Sequence, residues 1–353
     1  MAVLTVLGAG MMGSSLCVPL VDRGHTVRLV GTHLDAEIIQ SLKRDHVHPK
    51  LKLELPREIQ PYFLEELEVA MAGADAILLG VSSAGVTWSA EAIAPYVKPE
   101  RPILMVSKGL SYEDGQLSVL PDVLKDALPR ELSPRVFPAA VAGPCIAGEL
   151  ARRVETCVVF TGRRQQDLDL LKAWIGGGYY HVFTSTDVLG VEACAALKNA
   201  YAMGIAFAAG LHERAGGAPG SIATHNYEAA VFAQAIVEMQ LLVKLIGGSP
   251  NSVVGLPGVG DLNVTCNGGR TGRFGRLLGM GLGVAESVRR MEGATLECLE
   301  ILGVLRRAVP ALKASGAVRE GQLPLLEHMM AVALDDAPVA MPFGAFQPMS
   351  RLS

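Results

Sequence analysis

The stretch VLTVLGAGMMGSSL, residues 3–16, runs a short apolar segment straight into three glycines spaced G-x-G-x-x-G. A short, continuous apolar run is the pattern of a central parallel strand covered on both faces. A helix-like segment follows to about Asp22, Gly24-His25 ends it, and TVRLVG (26–31) supplies a second strand. Strand, tight turn, helix and strand within about thirty residues is the context that gives this glycine spacing a meaning. Gly8 permits the turn, Gly10 lets the backbone approach a pyrophosphate, and Gly13 lets helix and strand pack closely. The diphosphate is then expected on the helix N-terminus.

Working outward, strands are expected at AILLGV (76–81), PILMVSKG (102–109), VFPAAVAGP (136–144) and TCVVFTG (156–162), alternating with helical segments. That alternation predicts an α/β, doubly wound, Rossmann-like parallel sheet. Ligands of such sheets bind at the carboxyl ends of the strands, where Ser82, Lys108, Gly143 and Pro144 fall. Sheets of this kind that prefer NAD usually carry an acid at the end of the second strand. Here that position reads Val30-Gly31-Thr32-His33 and the first acid is Asp35. Thr32 and His33 are candidates for a 2′-phosphate, so NAD(H) and NADP(H) both stay open.

From Asp187 the pattern changes to helical segments at 188–211, 222–247, 274–291, 295–314 and 321–334, without strand-like runs. The chain therefore reads as a dinucleotide-binding domain, 1–186, followed by an all-α substrate domain, 187–353. Within the first helical segment stands one lysine. Around Lys198, at helical spacing, lie Cys194, Ala195, Tyr201 and Ala202, with Val191 and Ile205 a turn beyond. An ammonium group on such a stripe loses hydration, which costs several kcal/mol (about 2–7 for a neutral polar group) unless partners compensate. Either the side chain snorkels to the helix edge or it is a general acid/base. Between later helices, GLPGVGDLNVTCNGGRTGRFG (255–275) reads as a glycine-rich loop holding Asp261, Thr265, Arg270 and Arg273. Arginine beside glycines suits a phosphate, because its planar fork bonds bidentately where backbone can come close.

Bulk properties narrow the function classes. The chain has 353 residues, is 50% apolar and carries a formal net charge of −4, which gives no reason to expect nucleic acid or an anionic membrane as partner. Its six cysteines are scattered without C-x-x-C pairs, which argues against zinc or a disulfide framework and for a reducing cytoplasm. The start shows no targeting signal, and the apolar runs, broken by Glu192, Lys198 or glycine, read as too short to span a bilayer. The apolar segment 337–349 is expected to cover the domain's own surface or a partner subunit, which leaves a homodimer as the expectation.

Taken together, GAGMMGSSL, HPKLKLELP, VSKGL, AGPCIAGE, GVEACAALKNAYAMGIA, GVGDLNVTC with GGR, and MEGATLECLEIL resemble the NAD(P)-dependent glycerol-3-phosphate dehydrogenases over residues 3 to 335. The resemblance implies reduction of dihydroxyacetone phosphate to sn-glycerol 3-phosphate, and the reverse. It implies Lys198 as acid/base, Lys108 as a second cation of the site, and Asp261 beside them. Asn199, Thr265, Arg270 and Thr271 are implied to hold substrate, with Arg270 directed at its phosphate and counted among the cofactor contacts. Gly8, Gly10, Met11, Met12 and Gly13 are implied around the diphosphate, with Ser82, Lys108, Ala147 and Glu149 nearby, and no metal. Ketone reduction needs a proton on the oxygen as hydride arrives, which suits a lysine paired with an aspartate.

The sequence departs from the family in places. Arg270-Thr271 stands where Arg-Asn is usual, Asn226 to Gln234 loses cations common there, and 143–149 reads GPCIAGE. The loop 212–225 is longer, and Met12 replaces an aromatic. Because Lys108, Lys198 and Asp261 are kept, the expectation is retained hydride transfer with an open substrate: another ketose or polyol phosphate, or a ketopantoate-type or 3-hydroxyacid substrate. A non-catalytic dinucleotide sensor is the remaining alternative.

Overall fold

The computed structural model describes residues 1–220, 224–267 and 269–346. Residues 221–223 of the long loop, 268 of the GGR run and 347–349 of the apolar tail segment lie outside the described residues. Two compact units emerge: Met1–Lys108 with Val119–Val188, and Gly109–Ser118 with Leu189–Ser353. The domain reading at 186/187 is thus continuous where the structure is not, because residues 109–118 belong with the helical unit. They form a hairpin, Leu110–Glu113 with Gln116–Val119. Its turn, Asp114-Gly115, has positive φ at both residues (51° and 79°), the geometry that an Asp-Gly pair favours.

In the first unit eight strands form one sheet. In spatial order they are Tyr180–Ser185, Thr156–Thr161, Ala139–Ala142, Ile103–Met105, Ala76–Leu79, Val3–Leu7, Thr26–Val30 and Ile59–Tyr62. All neighbours pair in parallel except Ala139–Ala142 with Thr156–Thr161. Val3–Leu7 lies between the second strand and Ala76–Leu79, so the chain order reverses beside it; this is the switch point of a doubly wound sheet. Its side chains alternate as a covered strand requires: Leu4 and Val6 enter one core, Leu7 the other. The one polar residue, Thr5, is buried and donates its hydroxyl to Ala70 O at 2.7 Å.

Two strands escape the apolar-run reading, and both are sheet edges. Ile59–Tyr62 contains Pro61, which an edge tolerates. Tyr180–Ser185 alternates buried and exposed residues at its start instead of presenting an unbroken apolar run.

In the second unit the helices are Val188–Arg214, His225–Ile246, Asp261–Cys266, Arg270–Gly279, Val284–Arg289, Glu297–Ala314 and Pro324–Asp335. The helix expected over 274–291 is two, parted at Gly281, whose φ is 87°. The loop expected over 255–275 is helical for most of its described length. By length and composition, Val188–Arg214 and His225–Ile246 reach what a membrane crossing needs, contrary to the sequence reading. The first has 83% of its most apolar window buried inside the protein, the behaviour of a core helix; the second has 44%. Of the tail, Phe343 packs edge-on against Tyr227 of the same chain at 4.8 Å, and Ala340 N donates to His328. The described part of that segment covers its own unit and supplies no argument for a partner.

Glu238 ties three of these helices together. It is fully buried and accepts from Tyr201 Oη (3.0 Å), Gln234 Nε2 (2.9 Å), Leu325 N (2.7 Å) and Leu326 N (2.9 Å). Two of those donors are the first amides of Pro324–Asp335, so the carboxylate caps that helix. Burial pushes its pKa up to about 7 against the opposing pull of these four donors. The folded protein therefore holds this proton where the unfolded chain has released it. Stability falls as pH rises from the ordinary carboxylate range to about 7, and this contribution is flat above that. Glu238→Gln should remove this slope in urea unfolding between pH 5 and 7.5. It should also cost about 1–3 kcal/mol, since an amide hydrogen then faces a backbone donor.

Candidate active site

The three glycines of the first unit do different jobs. At Gly8, φ is 112° and an added Cβ would stand 2.7 Å from Gly80 C. At Gly13 it would stand 2.1 Å from Gly8 O. Both are demanded by the chain's own packing, strand against helix against strand. Gly10 is not: a Cβ there would meet only Gly80 O, at 3.9 Å. Gly10 caps the twelve-residue helix Met11–Asp22, which has neither a side-chain cap nor an acid in its first turn. An open space over amides at the positive end of a helix fits a diphosphate.

The peptide between these glycines is clamped from both sides. Ala9 N donates to Asp35 Oδ2 (3.1 Å), which also accepts from Thr32 N (2.9 Å) and Thr32 Oγ1 (2.8 Å). Ala9 O accepts from His48 Nε2 at 3.1 Å. His48 Nδ1 accepts from Leu51 N at 3.1 Å, which fixes the tautomer with the proton on Nε2. Burial pushes the His48 pKa down, in keeping with a neutral ring. Asp35 and His48 were not assigned a role from sequence; HPKLKLELP carried the signal, and the partner atom 39 residues away did not.

The remaining expected residues of this unit fall at strand ends, on the carboxyl edge of the sheet. Met11 and Met12 open the helix, and Thr32 and His33 follow Thr26–Val30. His33 is exposed and meets Trp88 edge-on at 5.4 Å. Ser82 precedes the turn Ser83–Gly85, Lys108 follows Ile103–Met105 half-buried, and Ala147 opens the short helix Ala147–Leu150, which includes exposed Glu149.

In the second unit Lys198 is 7% exposed and does not snorkel to solvent. Its Nζ donates to Asp261 Oδ1 and, at 3.2 Å, to Thr265 Oγ1. Thr265 gives its own proton to Asp261 O (2.6 Å), so its lone pair is what meets the ammonium. Asp261 is 1% exposed. The backbone before it makes a π-turn, Leu256–Gly260, in which Gly258 approaches Val253 so closely that a Cβ would lie 2.0 Å from Val253 O. The glycines of this segment thus aim a carboxylate at the buried lysine.

A second set of glycines sets the register of Arg270. Added Cβ atoms at Gly275 and Gly279 would stand 2.3 Å from Met203 O and 2.4 Å from Phe207 O. The helix Arg270–Gly279 therefore lies backbone to backbone on the lysine helix, residue 275 beside 203 and 279 beside 207. One turn earlier, the same step sets Thr271 level with Asn199. Asn199 Nδ2 donates to Glu297 Oε2 at 2.8 Å, and Arg270 Nη2 lies 3.7 Å from Glu297 Oε1. Thr271 is buried and hydrogen-bonds Cys298, whose thiol burial pushes up to about 12. Its hydroxyl is turned inward, while Arg273 is exposed. Glu297 was not singled out from sequence.

A dinucleotide cradle with a buried lysine–aspartate pair defines the class, a two-domain nicotinamide-dependent dehydrogenase. Family profiles sharpen this. That of the NAD-dependent glycerol-3-phosphate dehydrogenase N-terminus matches residues 3–168, and that of its C-terminus matches 187–341. The chain belongs to the NAD-dependent glycerol-3-phosphate dehydrogenase family. It is 37% identical over 290 residues to an NADP(+)-dependent glycerol-3-phosphate dehydrogenase of Archaeoglobus fulgidus, covering 82% of this chain and 84% of that one. To a glycerol-3-phosphate dehydrogenase [NAD(P)+] of Agathobacter rectalis it is 30% identical over 337 residues, with 94% and 92% covered. The crystal structure of glycerol-3-phosphate dehydrogenase from Coxiella burnetii superposes with a TM-score of 0.77 at 26% identity, over 99% of this chain and 98% of that one.

The glycine assignment separates fold from ligand. Gly10→Val should leave thermal unfolding within about 2 °C while weakening nucleotide binding at least about tenfold, or 1.4 kcal/mol. Gly13→Val should fail to fold stably. Calorimetric titration with NADH and NADPH, beside a thermal melt, reads both.

Proposed function

We propose that this chain reduces dihydroxyacetone phosphate to sn-glycerol 3-phosphate, and runs the reverse, with NAD(H) or NADP(H). The observation that carries the reading is the buried Lys198 held by Asp261 and Thr265 on an otherwise apolar helix. Desolvating an ammonium is costly unless something fixes it, and a fixed amine is what a proton transfer needs. The names of relatives that match most of the chain favour this substrate over other ketose or polyol phosphates and ketopantoate-type acids. They also favour an enzyme over a sensor.

When bound, the reduced nicotinamide supplies hydride to the carbonyl carbon. The first unit binds that cofactor through the Gly8–Gly13 turn, with Thr32, His33, Ser82 and Ala147 at neighbouring strand ends. Lys198 Nζ gives a proton to the ketone oxygen as charge develops there, and takes it back from the alcohol in the reverse direction. Asp261 orients the ammonium and balances its charge, and Thr265 holds its second hydrogen. Arg270, at the uncapped start of its helix after Gly269 (φ 100°), receives the phosphate. Asn199 serves a substrate oxygen, and Lys108 adds positive charge for the anionic substrate. Thr271 contributes through its hydrogen bond to Cys298, holding the start of the Arg270 helix. The scattered spacing of the six cysteines, without C-x-x-C pairs, supports a reducing, cytoplasmic setting.

Initial rates with dihydroxyacetone phosphate and either reduced nucleotide test this. Wild type should turn over, and Lys198→Ala should lose about 10²–10⁴-fold in kcat while binding nucleotide as before. Undiminished turnover in Lys198→Ala, or activity on longer ketose phosphates but none on dihydroxyacetone phosphate, would overturn the reading.

A further inference from the structure

Glu297 has no part in the chemistry above, yet it touches two of the groups proposed to hold substrate. It is the first residue of the eighteen-residue helix Glu297–Ala314, and its side chain is one-third exposed. One carboxylate oxygen accepts from Asn199 Nδ2 at 2.8 Å; the other faces Arg270 Nη2 at 3.7 Å. Those donors come from two different helices, Val188–Arg214 and Arg270–Gly279. A helix N-terminus alone accounts for an acid at this position, but not for its reaching an arginine and an amide from two other elements. A cation and an amide hydrogen presented together are what an anionic substrate oxygen would use.

We infer that Glu297 is a specificity-determining residue that occupies the anion seat of Arg270 and Asn199 until a phosphate ester displaces it. The inference rests on the proposed role of Arg270. A phosphate arriving at Arg270 meets the Glu297 carboxylate as a like charge and a competitor for the same donors. Binding then requires Glu297 to release Arg270. The carboxylate thereby sets a threshold: weakly held anions such as inorganic phosphate are rejected, and an ester with further contacts to the site gets in. The built-in competitor raises the concentration at which any anion fills the seat, so a weakly held one leaves it empty where an ester with further contacts still binds.

Three variants separate the possibilities. Glu297→Gln keeps an acceptor for Asn199 and removes the charge, Glu297→Ala removes both, and Arg270→Ala tests the underlying seat. The readouts are KM for dihydroxyacetone phosphate and the competitive inhibition constant of inorganic phosphate, at fixed ionic strength. Arg270→Ala should raise both by about tenfold or more. Glu297→Gln should lower both by a similar factor, about five- to twentyfold, with Glu297→Ala in the same direction. A purely structural role would move the melting temperature without tightening phosphate. If Arg270→Ala raises both constants but Glu297→Gln leaves them unchanged or raises them, Glu297 merely positions Arg270 and the inference fails. If Arg270→Ala moves neither constant, the phosphate seat itself is misplaced, and the reading of Arg270 falls with it.

Discussion

A lysine with 7% exposure has to be held, and the second unit is organised around holding Lys198. Asp261 answers its charge and Thr265 its second hydrogen. Both come from a short helix that follows a π-turn in which Gly258 lies tight against Val253. The lysine helix in turn is placed by Gly275 and Gly279, which bring the Arg270 helix against its backbone. Tyr201, three residues from Lys198, bonds Glu238, which caps another helix. Buried ion pairs of this kind are poor devices for stability, since desolvation takes back most of the Coulomb gain. Their worth is a charge held in one place.

The first unit solves a different problem with the same residue type. Gly8 and Gly13 answer the chain's own crowding, whereas a Cβ at Gly10 would meet only Gly80 O, at 3.9 Å. Asp35 and His48 grip the Ala9 peptide by its N–H and its C=O. The glycine loop proposed to receive a diphosphate is therefore held from both sides by the chain's own side chains, an arrangement that lowers the entropic cost of binding. This is preorganisation by two side chains outside the glycine motif.

Much of this was legible in the sequence, for a local reason. Strand, glycine turn and helix are contiguous, so the Rossmann-like core could be read directly, and Lys198 announced itself by breaking an apolar stripe. Edge strands could not be read in the same way: Ile59–Tyr62 and the partly exposed Tyr180–Ser185 lack the double-sided burial that makes a run apolar. The helices within 256–279 were hidden by six glycines over 255–272, which read as loop until contacts such as that of Gly258 with Val253 are seen. Glu238 and Glu297 were invisible because their partners stand far off in sequence, 37 residues for Tyr201 and 98 for Asn199. The Asp114-Gly115 turn was the reverse case, a readable hairpin signal that the reading of the first half passed over.

In the proposed reaction the Lys198 amine itself moves the proton, and chemical rescue tests this most directly. Lys198→Ala leaves a space shaped for an aminoalkyl chain beside Asp261 and Thr265. Turnover of dihydroxyacetone phosphate by this variant should rise with added methylamine or ethylamine, saturating as the space fills, while wild type does not respond. A variant that binds nucleotide and substrate yet gains nothing from any small primary amine would contradict the assignment, and would leave Lys198 a structural charge.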